Sequence, residues 1–165
     1  MNKISGNLLN RKLIKKQKHT LIEVIKIKVD YKKLLISGIL SGIVMLILSM
    51  IVVNFFVQML WPYDIFSLGG MRAMTDPLMM FFFGHYFVLG ITFAYVFPYV
   101  KQNLSGTFIQ KGLKFGWLMW LVAGLPSAYV VYTSMNYPIG FTFDSVVGSL
   151  IYMIASGIII AKFMD

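Results

Sequence analysis

LLISGILSGIVMLILSMIVVNFFVQML, residues 34–60, runs for 27 residues without a charged side chain. About 20 apolar residues in a helix span the hydrocarbon of a bilayer, so this stretch is long enough to cross one at a tilt. Stretches at 77–97, 113–132 and 144–163 have the same character. They hold most of the chain's 58% hydrophobic content, more apolar surface than the core of one soluble domain of 165 residues absorbs. The expectation is an all-α integral membrane protein: four transmembrane helices as two hairpins, preceded by a basic cytoplasmic segment, residues 1–33.

Local signals bound the four spans. Trp61-Pro62-Tyr63 supplies an aromatic anchor and a helix stop after the first. Thr75 or Asp76 as N-cap, with Pro77 at the first helical position, opens the second, and Pro98-Tyr99 closes it. Pro126 inside the third frees a backbone carbonyl and predicts a kink. Asp144 is expected to cap the start of the fourth.

The net charge of +9 matters through its placement. Ten of the fifteen Lys and Arg lie in residues 1–33, and Lys101, Lys111, Lys114 and Lys162 fall on the same side of the spans. Only Arg72 falls on the other, so the count is fourteen against one. Basic residues are retained on the cytoplasmic side, so both termini are expected there. Residues 1–33 are too polar for a cleavable signal and are expected to be kept. Ile4, Leu8, Leu9, Leu13 and Ile14 follow helical spacing, whereas Ile25, Ile27, Val29 and Tyr31 alternate with polar residues as a strand would. With no second strand to pair, the segment reads as a basic interfacial helix on anionic lipid headgroups, the alternative being a solvated topology signal.

Within a bilayer the informative positions are small or polar. Gly38, Gly42 and Ser49 share a face of the first span, with Asn54 and Gln58 together elsewhere near its outer end. Gly112, Gly116, Ala123 and Ser127 share a face of the third; Gly90 with Ala94, and Gly157 with Ala161, form small pairs on the second and fourth. These are helix-packing positions. At 100° per residue, His85, Thr92, Tyr95 and Tyr99 fall in one sector of the second span, opposite Gly90 and Ala94. Ser145, Ser149, Tyr152 and Ser156 form a stripe on the fourth. Placing the two stripes against each other satisfies imidazole, phenol and hydroxyl groups inside the bundle, making His85 a bundle-interior histidine. The same cluster is the candidate for a proton relay or polar-ligand site. Haem ligation lacks a second histidine at membrane depth, since His19 is in the basic segment.

Asp64, Asp76 and Asp144 are expected at the outer surface, where three carboxylates could attract a cation, although capping explains two of them. The absence of cysteine removes disulfides, thiolate metal sites and cysteine nucleophiles. No metal site, no cofactor and no nucleic-acid partner is expected. The chain carries no HExxH, no GxSxG, no phosphate loop and no paired intramembrane carboxylates, so no catalytic residue is assigned and an enzyme is not expected. Each half enters behind a basic residue (Lys33, Lys111) and returns through Gly-x-x-x-Ala, a weak parallel repeat.

Lys111-Gly112 to Gly116, the Trp120 to Pro126 stretch, Asn136-Tyr137-Pro138 and Gly157 to Ala161 together resemble an uncharacterised family of small four-helix integral membrane proteins of bacteria and archaea. The resemblance covers about residues 80–163; it implies a four-span fold and carries no activity. The leading functional expectation is a structural or accessory subunit, or a small oligomer, in a membrane assembly with the bilayer, itself or other membrane subunits as partners. The alternatives are a small transporter or channel with a polar path around His85, and a redox or quinone-site subunit.

Overall fold

The computed structural model describes residues 29–165 together with Lys15. The expectation of an interfacial helix on residues 1–33 falls mostly outside them. The described residues contain no strand and four helices long and apolar enough to cross a membrane: α1 Tyr31–Leu60, α2 Met79–Asn103, α3 Phe108–Ser134 and α4 Ile139–Met164. Asp30 caps α1, its Oδ1 accepting from the Lys32 and Lys33 amides at 3.1 and 3.2 Å. Thr107 and Gln110 form a reciprocal capping box at the start of α3.

Two seams of glycine set the packing. On α1, a Cβ at Gly38 would lie 2.8 Å from the Ile91 Cα and one at Gly42 2.9 Å from the Phe87 Cα, so α1 and α2 run antiparallel with backbones touching. Gly90 of α2 sits in the notch between them, against the Gly38 carbonyl and the Gly42 amide. The other pair repeats the arrangement: Gly112 meets Ile158, Gly116 meets Ile154, and Gly157 fills the notch between Gly112 and Gly116. Only a hydrogen atom fits at these positions, which lets dispersion act along the whole seam.

α1 and α4 form the central contact. Ser41 Oγ and Ser156 Oγ meet at 2.5 Å, both fully buried. α2 and α3 flank this pair and approach each other mainly near the chain-terminal end, where Phe93 and Phe97 stack edge-on against Phe115 at 6.1 and 5.1 Å. At that end Lys101 Nζ donates to the Met164 carbonyl at 2.6 Å and Lys111 pairs with Asp165 at 2.5 Å.

Three of the four helices contain a π turn: Val52–Val57 in α1, Trp120–Gly124 in α3 and Asp144–Gly148 in α4. Each widens the helix by one residue and shifts the phase of the turns after it. Buried positions of α3 therefore continue as Trp120, Gly124 and Ala128, leaving Ala123 half-buried and Ser127 exposed. The irregularity expected at Pro126 is this π turn just before it.

Helix boundaries differ from the sequence signals in three places. α2 begins at Met79, because a tight turn held by Leu78 N–H to Asp76 Oδ1 (2.8 Å) and Met79 N–H to the Asp76 carbonyl (2.9 Å) occupies residues 76–78. It runs through buried Pro98, which forfeits one backbone bond, to Asn103. α4 begins at Ile139, because the Pro138 carbonyl accepts the first helical bond from Phe141 N–H at 2.9 Å. Asp144 is therefore not an N-cap at the surface but lies inside the helix, about 8 Å along its axis from Ile139.

Leucine at Gly90 or Gly157 should force its seam apart and cost about 1–3 kcal/mol or more, read as a lowered unfolding midpoint in detergent. Gly84→Ala, where nothing lies within 4 Å of the added methyl, should leave it unchanged.

Candidate functional site

The π turns of α1 and α4 lie side by side at the loop end, away from the chain-terminal contacts. In the widened turn of α4 the Val146 carbonyl accepts from the Ser149 amide and also from the Trp120 indole N–H at 3.0 Å; the same indole N–H reaches Ser149 Oγ at 3.0 Å. Ser149 in turn donates to the Ser145 carbonyl at 2.5 Å. The backbone disturbance is thus satisfied on the α3 side.

On the opposite side it aims Asp144 inward. Asp144 Oδ1 is buried without a hydrogen-bond partner. It rests over the Cα of Gly148, one turn on, and beside Val52; a Cβ at residue 148 would occupy the carboxylate's place. Asp144 lines a cavity of about 670 Å³ between α1, α2, the start of α4 and the loop after α1. Ser49, Asn54 and Gln58 of α1 and Tyr86 of α2 supply further polar atoms, Asp64 and Tyr63 come from the loop, and Phe66, Phe82 and Phe83 complete an aromatic wall. Asp64 is exposed, its Oδ1 accepting from Phe66 N–H at 2.9 Å.

The loop is tied down by several contacts. Gln58 Nε2 donates to the Tyr63 carbonyl at 2.6 Å, and Tyr137 donates to the Gly69 carbonyl at 3.0 Å. Trp61 packs on Phe143 at 5.1 Å and Tyr63 edge-on against Phe141 at 5.8 Å. Tyr63 is 7% exposed, in contact with Val52 and Val57. Burial first, and then the neighbouring Asp144 carboxylate, push the Tyr63 phenol far above its ordinary range, so it stays a hydrogen-bond donor beside Asp144. In the turn before α2, Asp76 is held below the usual carboxylate range by the Leu78 amide and by Arg72, whose Nη1 lies 2.6 Å from Asp76 Oδ2.

The residues singled out in the sequence divide between two faces. Gly90 and Ala94 are buried, and the sector opposite them points away from the other helices: Thr92, Tyr95 and Tyr99 are exposed, with Tyr99 donating to Tyr95 at 3.4 Å. His85 is half-buried; its Nδ1 lies 2.5 Å from the Phe82 carbonyl and its ring 3.8 Å from that of Tyr86. Its polar partner is its own helix. The α4 stripe does face inward, with Ser149 and Ser156 buried and Ser145 and Tyr152 half-buried, but it meets Ser41 and Trp120 rather than the His85 sector. Tyr152 alone reaches α2, edge-on to Tyr86 at 5.7 Å. The central groups, Asp144, Tyr63 and Tyr86, lie off both stripes. Pro138 followed six residues later by an acid, and Gly148 four beyond that, is the sequence signal that points to them.

Among the described residues no group of three or more His, Asp or Glu is arranged to hold a metal. No family model, curated protein or solved structure matches the chain.

Tyr63 should keep its proton through the range near pH 10 where exposed tyrosines ionise, so wild type and Tyr63→Phe should show the same phenolate absorbance there. Because the folded pKa is raised, the stability this phenol contributes is present below its ordinary pKa and is lost as pH rises above it. Wild type should accordingly lose more stability than Tyr63→Phe at alkaline pH.

Proposed function

We propose that this chain is a four-span plasma-membrane protein of a prokaryote, inserted as two hairpins with both termini cytoplasmic, that takes a polar solute from the outer side into the cavity around Asp144. The reading belongs to the small-transporter class, with the polar path moved from His85 to the α1–α4 contact. One observation carries it: an aspartate inside an apolar helix, on the wall of a cavity that has no basic side chain. Acidic groups within membrane helices are costly, and they pair with one another, line water-filled space or mark a solute path. Here Tyr63 lies beside the carboxylate and no basic side chain lines the cavity, so the wall offers the carboxylate no counter-charge.

Fourteen basic residues against one support the orientation, which puts the cavity mouth and Asp64 on the outer side. Anionic headgroups on the cytoplasmic side are the natural partners of the basic segment. A second reading, an accessory subunit in a membrane assembly, draws on the exposed hydroxyls of Thr92, Tyr95 and Tyr99 on α2, a polar stripe that a helix from a partner would satisfy. Gentle extraction of such an assembly should yield other subunits in fixed ratio, whereas a solute-binding protein of the first kind should run alone or with its own copies.

The chain has no cysteine, so an introduced thiol is the sole reactive one. Ser49 lies on the cavity wall, about 16 Å along α1 from Leu60. A membrane-impermeant thiol reagent added to intact cells should label Ser49→Cys and should spare Ser105→Cys at the chain-terminal end. Labelling of Ser105→Cys alone would overturn both the orientation and the outward cavity.

A further inference from the structure

The chemistry of the cavity wall narrows what the solute is. This step rests on the outward-cavity reading above. The lining contains two acids, Asp144 at depth and Asp64 at the mouth, and no Lys, Arg or His, so an anion would meet repulsion with nothing to offset it. A bare metal ion fits no better. Divalent cations take six or more oxygens at about 2.0–2.6 Å, whereas Asp144 is flanked by Gly148 and Val52 and lines a space of about 670 Å³. That volume lies within the range of about 300–1,000 Å³ that small organic ligands occupy.

Most of the rest of the wall is apolar, five aromatic rings beside Leu46, Met50, Val53, Pro62 and Ile65. Tyr63, Phe66, Phe82, Phe83 and Tyr86 line the same space as Asp144. Aromatic faces attract a cation whose charge is spread over alkyl groups, and they accept an apolar body without demanding hydrogen bonds. One deep carboxylate balances one positive charge. Asp64, exposed at the mouth, adds a field that draws cations toward it. Ser49, Asn54 and Gln58 offer dipoles to a hydroxyl or amide on the same molecule.

We propose that the solute is a monovalent organic ammonium compound with an apolar body, its cationic head between the Asp144 carboxylate and the rings of Tyr63 and Tyr86.

Equilibrium dialysis of the full-length protein in detergent tests this with benzyltrimethylammonium as the probe and neopentylbenzene, its neutral isostere, as the comparison. The cation should bind at least about tenfold more tightly than the hydrocarbon. Asp144→Asn should weaken the cation about tenfold and leave the hydrocarbon unchanged. Tyr86→Phe, which keeps the ring, should bind nearly as well as wild type, and Tyr86→Leu should lose several-fold. Equal binding of cation and isostere to the wild-type protein would overturn the proposal without any variant being needed. So would unchanged cation binding to folded Asp144→Asn, or displacement of the probe by sodium at concentrations where choline has no effect. Each of those results, combined with labelling of Ser49→Cys from outside, would reject the ammonium ligand and leave the outward cavity standing.

Discussion

Backbone contact at two glycine seams fixes the register on which the rest of the structure depends. Gly90 between Gly38 and Gly42, and Gly157 between Gly112 and Gly116, bring each pair of neighbouring helices closer than any side chain would allow. Close packing of this kind supplies attraction between helices wherever apolar burial from water does not. The two seams have the same form. Gly112 and Gly116 lie 74 residues after Gly38 and Gly42, and Gly157 and Ala161 lie 67 after Gly90 and Ala94, the difference being the longer connection in the first half. The weak repeat in the sequence therefore coincides with a repeat in packing, and the shared residues are those that touch.

The halves do not behave alike beyond the seams. Regular helices would keep the loop ends as tightly packed as the chain-terminal ends. Instead α1 and α4 each spend one residue on a π turn at the level of Val52 and Asp144, and the two turns pack together. A π turn leaves carbonyls without their usual partners. Trp120 adds a donor for α4 on one side, and on the other the wider turn places Asp144 on the cavity wall. Seams and cavity thus divide the molecule: close backbone contact toward the chain-terminal end, and a widened, polar-lined space toward the loops.

The same division separates the legible part of the sequence from the rest. Long apolar runs report helices directly, and glycine spacing of four is legible while the helix stays regular; Gly38, Gly42, Gly112 and Gly116 each lie against the backbone of a neighbouring helix. A phase of 100° per residue breaks at a π turn. Ala123 and Ser127 consequently rotate out of the buried face, and Trp120, Gly124 and Ala128 take it. His85 misleads for a different reason. A polar stripe on a helix fits an inward or an outward face equally well, and the opposite face carries Gly90 and Ala94, whose need for close contact outweighs what Thr92 and Tyr95 would gain by burial. Acids cap helices, which makes Asp144 look like a helix start; Pro138 starts the helix earlier, and nothing in local propensity separates those two signals.

Asp144 is then the residue least suited to its surroundings. Replacing it with an apolar residue of similar volume would remove a desolvation cost and give up no hydrogen bond to its buried oxygen. The neighbouring residues accommodate the carboxylate without neutralising it. Gly148 vacates the space a methyl group would fill, and Tyr63 keeps its proton beside it. The walls add rings rather than guanidinium or ammonium groups. A carboxylate that served only the fold would be expected to have a basic partner, since an unpaired buried charge is costly and a paired one much less so. With no such residue on the cavity wall, the proposed solute is what brings the positive charge, so its binding would relieve the desolvation cost that the fold otherwise bears.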